Sequence, residues 1–208
     1  MTNVILCRGN SVSKFLDLEF SSNCVFSLVN EWDNLLNGGK FAQKLIAKDI
    51  YHYINREKTA RMHSMYYGLY DVRKVFLNVY KDEYIVSENK KYLDSIGVHH
   101  SYPMPDELKR YALNAEGGFP SLGVQTVAHS SLLNFEEYHI FGMDFFEDQY
   151  FSHHSHCDTK EPKTHQKKKG VIMKSFLGNF LSKFPDKTYH FYTNSTFNPP
   201  LSNVIIHN

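Results

Sequence analysis

The chain has little of what marks several protein classes. It has three cysteines, Cys7, Cys24 and Cys157, an odd number at scattered spacing. That pattern does not describe a disulfide framework and argues for a reducing compartment, with Cys7 and Cys24 as small buried residues of apolar runs. Twenty-three Lys and Arg against 22 Asp and Glu leave a formal net charge of +1. No global field therefore draws nucleic acid or an anionic membrane surface, and no nucleic-acid partner is expected. No apolar run approaches the roughly 18 residues needed to span a bilayer. The first residues, Met1 to Cys7, lack the basic flank and long apolar region of a signal peptide, so the expected location is cytoplasmic. Without a secretory signal the sequon at Asn194 carries no weight. We find no internal repeat and no linker rich in glycine and serine, and 208 residues suffice for one large α/β domain spanning 1–208.

What the chain does have is aromatic. Fourteen Tyr and 16 Phe serve either a Tyr/Phe-rich core or a site that stacks on a base or sugar ring. Short apolar runs rich in β-branched and aromatic residues predict strands at Asn3–Cys7, Asn23–Val29, Ile50–Ile54, Lys74–Tyr80, Tyr138–Phe141 and Tyr189–Tyr192. Helical patterns lie after the first strand and at Phe41–Ala47, Asp106–Asn114, Ser121–Leu133 and Val171–Phe184. In the Ser121–Leu133 helix, Val124, Val127, Ala128, Ser131 and Leu132 share one face, and Pro120 suits its first turn. Strands alternating with helices predict a Rossmann-like α/β fold, an open, mostly parallel twisted sheet flanked by helices. The polar, His- and Lys-rich stretch from Phe145 to Lys169 reads as a long loop, with 147–168 as a candidate active-site lid. A tail containing Pro199-Pro200 closes the chain.

Polar residues collect at the ends of these strands: Asn10 and Ser11, Asn30, Asn55, Asp144, and Asn194 with Ser195. In a parallel sheet those ends share the rim where ligands bind, and asparagine both donates and accepts. The small-residue opening Pro120-Ser121-Leu122-Gly123 places a helix N-terminus, which suits a phosphate, ahead of the strand that ends in Gly142-Met143-Asp144. His153, His154, His156 and Cys157, near Asp158 and His165, are chemically suited to zinc, although they crowd one polar loop instead of forming two spaced couples. His165 stands beside lysines 163 and 167–169, which disfavour its protonated form and suit it to accept a proton. His129 and His139 read as core or edge residues.

Together these segments resemble the sialyltransferases, closest to the bacterial enzymes that decorate lipooligosaccharide, with an echo of the eukaryotic sialyl motifs. Pro120-Ser121-Leu122-Gly123 is similar to the opening of that family's central helix. The spacing from Gly123 to Asp144 in Tyr138-His-Ile-Phe-Gly-Met-Asp-Phe-Phe146 looks the same as in the bacterial members. Val4-Ile-Leu-Cys-Arg-Gly-Asn-Ser11 is similar to their first strand and its loop, and Thr193-Asn194-Ser195 to the segment after their last matched strand. The resemblance implies a variant GT-A-type domain that needs no metal or other cofactor and transfers an acidic sugar from a CMP-activated donor to a glycan or glycolipid acceptor. The acceptor could bring it to a membrane periphery, and a homo-oligomer stays open. The resemblance puts His165 on the catalytic base and Asn10, Ser11, Asn30, Asn55, Ser121, Leu122, Gly123, Asp144, Phe146, Tyr150, Asn194 and Ser195 on the nucleotide-sugar site. The chain departs from the family where Phe119 replaces an Arg that meets the sugar carboxylate, and where Phe146 and Pro162 replace tyrosines. Tyr150 and the lysines after His165 stand near enough in sequence to substitute. The departures admit a second expectation, a CMP-sugar-binding protein without turnover. The His/Cys loop admits a third, a zinc-binding module.

Overall fold

The computed structural model describes residues 1–30, 32, 39–54, 67–77, 91, 95, 99, 100, 120–148 and 164–208. Eight strands form one sheet: β1 Thr2–Leu6, β2 Cys24–Val29, β3 Asp49–Ile54, β4 Val72–Leu77, β5 His99–His100, β6 Glu137–Phe141, β7 Thr188–Tyr192 and β8 Val204–His207. Their spatial order is β5-β4-β3-β2-β1-β6-β7-β8, and every described pairing is parallel. Three α-helices are described: α1 Gly39–Leu45, α2 Leu122–Ser131 and α3 Thr164–Leu181. An open parallel α/β sheet is what the alternating pattern predicts.

The strands are apolar on both sides because both faces are covered. On one face Ile5, Val25, Tyr138, Ile140, Tyr189 and Phe191 pack under α2 and α3. On the other, Val4, Leu6, Phe26 and Leu28 pack against Val12, Phe15, Trp32 and Phe41. Among the described residues the aromatics mostly fill these cores: Tyr138 and Tyr189, neighbours in register, stack at 4.7 Å. Their hydroxyls stay satisfied, Tyr138 donating to Ser130 O (3.0 Å) and Tyr189 to Ser131 Oγ (3.1 Å). Cys7 and Cys24 are free and buried, as read from the sequence.

Four expectations need correction. The segment after β1 is a 3₁₀ helix, Asn10–Asp17, instead of an α-helix; its Val12 and Phe15 are buried at a spacing of three. Helix α3 starts at Thr164, seven residues before the expected Val171, because Gln166 and Lys167–Lys169 are strong helix formers and Gly170 does not break the helix. The Pro-Pro tail leads into an eighth strand, since Val204-Ile-Ile-His207 pairs with β7. Helix α2 is not one-sided: Gln125, Thr126 and Ser130 are buried with its apolar residues, whereas Leu132 is 39% exposed. It is wedged between the sheet and α3, and a helix enclosed on several sides loses its polar face. The expected helix at Asp106–Asn114 lies outside the described residues.

One buried group gives the fold a pH dependence. His129 Nδ1 on α2 and Tyr53 Oη share a hydrogen bond at 3.0 Å, and the imidazole ring lies against Phe76. Burial first, and Lys74 second, lower its pKa from 6.5 to about 4. A depressed histidine favours folding while neutral. Its contribution is complete above about pH 6.5 and is lost as pH falls toward 4, where the unfolded chain binds a proton the folded one refuses. We expect acidification across that window to remove about 3 kcal/mol of stability through this group. Urea unfolding at stepped pH should show a shallower slope for His129→Gln; an equal slope in both proteins would refute the assignment.

Candidate functional site

The order of the strands reverses at β1, whose two neighbours are β2 and β6. Crossovers leave in opposite directions from such a point, so a crevice opens at the carboxyl ends of the strands. A cavity of about 300 Å³ lies there. The turns after β1 (Cys7, Arg8, Gly9), β2 (Asn30) and β6 (Gly142 to Phe146) contribute its floor and sides, and Ser121, Leu122 and Gly123 at the start of α2 close one wall.

The turns hold unusual backbone. Asn30 (φ 64°), Gly142 (φ 69°), Phe145 (φ 48°) and Phe146 (φ 62°) all lie in the left-handed region. For the two phenylalanines this costs on the order of 1 kcal/mol each, and such strain persists only where packing over-determines the chain. Packing does so here. Phe145 is buried against Phe197, and its carbonyl lies so close to Gly170 of α3 that no Cβ would fit at that glycine. Gly9 likewise admits no side chain, because a Cβ there would run into Asp144 and Gly142 O. Gly170, which looks like a helix breaker in sequence, is thus the point where α3 presses on the cavity's edge.

Asp144 ties the rim together. It is 3% exposed, and its two oxygens accept four hydrogen bonds: from Ser11 N (3.0 Å), Ser11 Oγ (2.5 Å), Thr193 Oγ1 (3.1 Å) and Asn194 N (2.9 Å). The turns after β1, β6 and β7 meet in this one side chain. Thr193 also donates to Met143 O at 2.9 Å, and Ser195 N donates back to Thr193 Oγ1 at 3.1 Å. Asp144 touches the cavity, yet its acceptor sites are occupied by the chain's own donors. The Ser11 hydroxyl is consumed in the same network. Burial and the neighbouring Asp144 push the Cys7 thiol well above its usual range, so Cys7 is an inert wall residue.

Of the residues singled out in sequence, the cavity brings together Asn30, Ser121, Leu122, Gly123, Asp144 and Phe146. Asn10, Ser11, Asn194 and Ser195 are not among its lining residues: Asn10 is exposed, Ser11 and Ser195 are buried in the Asp144 network, and Asn194 Nδ2 donates to Asp148 Oδ2 at 2.7 Å. His165 is the second residue of α3, one before Gln166, whose side chain lines the cavity. Asn55, Phe119, Tyr150, Pro162 and the His153, His154, His156 and Cys157 cluster lie outside the described residues. The expected lid, 147–168, is described only at its ends. At one end Glu147 accepts from Lys174 Nζ and from Thr196 N (2.6 Å). Burial raises the Glu147 pKa, but Lys174 and Thr196 outweigh it and the net shift is downward. The other end is the first turn of α3.

Sequence reasoning missed Arg8, Asp148 and Gln166 as wall residues. Arg8 was legible, since it directly follows the first strand and its Cys7. Gln166 was not, because the lysines around it resemble a solvated loop.

No family model matches the chain, and no curated protein sequence does. Solved structures match in fold. The sialyltransferase CST-II, crystallised with a trisaccharide acceptor and CMP, superposes with a TM-score of 0.60 at 15% identity, covering 98% of this chain and 87% of that one. The monofunctional alpha-2,3-sialyltransferase Cst-I from Campylobacter jejuni superposes with a TM-score of 0.64 at 15% identity, covering 97% and 80%. At this identity the likeness establishes a shared fold across nearly the whole chain.

Proposed function

We propose that this chain is a sialyltransferase-like glycosyltransferase, moving sialic acid or a similar acidic sugar from a CMP-activated donor to a glycan hydroxyl. The observation that carries the reading is the cavity at the switch point, faced by the start of α2, in a fold shared with a protein crystallised with CMP and an acceptor sugar. Asn30 sits at the end of β2, where an amide can read a ribose or a base edge. Leu122 N–H and Gly123 N–H belong to the first turn of α2, whose Ser121 makes no side-chain cap, and suit the nucleotide phosphate. Arg8, the basic residue of the described wall, supplies positive charge for the nucleotide phosphate.

The chemistry follows from that arrangement. An acceptor hydroxyl attacks the anomeric carbon, the bond to the phosphate oxygen breaks, and CMP leaves with the bonding pair. His165, at the start of α3, takes the acceptor's proton. One phosphate leaves, so a guanidinium and helix N–H groups can neutralise it without a divalent ion.

The test is calorimetric titration with CMP in buffer containing EDTA, followed by CMP release from CMP-sialic acid with a galactoside. Binding and acceptor-dependent release support the reading. Absence of CMP binding sinks it. Phe146 in the cavity wall brings no hydroxyl to a phosphate, and this favours a second reading as a binding protein without turnover. CMP binding without release across a panel of donors and acceptors would select that one.

A further inference from the structure

A buried histidine reaches the turn that carries Asn30. His52 lies on β3 opposite Leu28 of β2 and is 2% exposed. Its Nε2 is 2.6 Å from Asn30 O, and its Nδ1 is 2.7 Å from Tyr67 Oη. A carbonyl oxygen only accepts, so Nε2 carries the hydrogen and donates it. In the neutral ring Nδ1 is then the acceptor for the Tyr67 hydroxyl, so the two contacts select one tautomer.

Asn30 is the residue at which the chain leaves β2 and meets the cavity. Its backbone is left-handed, at φ 64°. Asparagine tolerates that region better than most residues but does not prefer it to extended backbone, so something must hold it there. Both of its peptide groups are held. Its N–H donates to Tyr53 O at 2.7 Å, and its carbonyl takes the His52 hydrogen. One residue earlier, Val29 O accepts from the buried Trp32 indole at 3.0 Å. The direction of a Cβ follows from its own N, Cα and C. Fixing the peptide groups on both sides therefore fixes where the Asn30 amide starts.

We propose that His52 is a positioning residue for nucleotide binding: by donating Nε2–H to Asn30 O, it holds Asn30 in the conformation in which that residue lines the cavity. This role rests on the cytidine reading of the cavity. His52 is not among the lining residues, so it acts through Asn30 and not on the ligand. Asn30 O on one side and Tyr67 Oη on the other hold the ring in one orientation, so the turn is set before a ligand arrives.

The test compares His52→Phe, which keeps a ring and removes both nitrogens, with His52→Gln, whose amide restores a donor and an acceptor. CMP is titrated by calorimetry into each. His52→Phe should weaken CMP about tenfold, the worth of one buried hydrogen bond lost from the turn, and His52→Gln should stay within about threefold of wild type. Should the phenylalanine variant not fold, His52→Met fills the space without a donor and takes its place. The decisive comparison uses Asn30→Gly, which keeps a left-handed turn without the amide. In that background His52→Phe should weaken CMP by less than about twofold further, although its thermal midpoint still falls. Equal weakening in both backgrounds would mean a general structural role and overturn the proposal. Long-range ¹H–¹⁵N spectra of histidine-labelled wild type should show His52 with hydrogen on Nε2, and the backbone and side-chain amide signals of Asn30 should move in His52→Phe. A hydrogen on Nδ1 alone, or Asn30 signals that stay in place, would also overturn it. Wild type that binds no CMP would sink the cytidine reading, and the Asn30 signals would still decide whether His52 sets that turn.

Discussion

Asp144→Ala is expected to lower the thermal midpoint by about 8–16 °C. The carboxylate accepts from two backbone N–H groups and two hydroxyls, drawn from the turns after β1 and β7. Removing it leaves Ser11 N–H, Ser11 Oγ–H and Asn194 N–H without their acceptor; Thr193 keeps Met143 O. Each stranded buried donor costs about 1–3 kcal/mol, and entry of water from the neighbouring cavity returns part of that. A net loss of about 4 kcal/mol is the central expectation, and a chain of this length shifts about 2–4 °C per kcal/mol. Asp144→Asn keeps the volume but turns an N–H₂ toward other donors, so it should fall between alanine and wild type. Calorimetric scans of the three proteins provide the check. A midpoint for Asp144→Ala within about 2 °C of wild type would mean that the turns are held by something else. Because the turn after β1 also forms part of the cavity wall, CMP affinity should fall with the midpoint.

The second large effect concerns turnover. His165→Ala is expected to lower acceptor-dependent CMP release by about 10²–10⁴-fold, the usual contribution of a positioned general base. CMP affinity should stay within about threefold, because the residues assigned to the nucleotide lie in the turns after β1 and β2 and at the start of α2. The two readouts separate a base from a structural residue: a structural defect would weaken both. The pH profile adds a third, since loss of the base should erase the acid limb that it contributes to kcat/KM while leaving the pH dependence of CMP binding as in wild type. Wild-type turnover in His165→Ala would remove the residue from the mechanism and leave the nucleotide site standing.

Much of this was legible in the chain because parallel strands buried on both faces are apolar throughout. The runs Asn3–Cys7, Asn23–Val29 and Tyr138–Phe141 each match a strand to within a residue. Val204-Ile-Ile-His207 escaped notice because four residues after Pro199-Pro200 look like a tail until β7 supplies hydrogen-bond partners. The start of α3 was hidden because Lys167–Lys169 and Gly170 resemble a solvated break; helix propensity and the press of Phe145 on Gly170 decide otherwise. Within the candidate site, Asn30 and Ser121–Gly123 were readable as strand-end and helix-start residues.

The amino-acid sequence by itself determined the α/β class, most of the strands and the set of polar residues at their ends, because periodicity and local propensity are properties of neighbours in the chain. Only the tertiary structure decided which of those residues share a wall. Asp144 binds Ser11 across 133 positions, and His139 meets His190 only once β6 lies beside β7. Such pairings are set by strand order and register, and no local pattern encodes them. The same step turned Asp144 from a ligand candidate into the tie of the rim, brought Arg8 and Gln166 into the cavity wall, and stacked two imidazoles midway along β6 and β7.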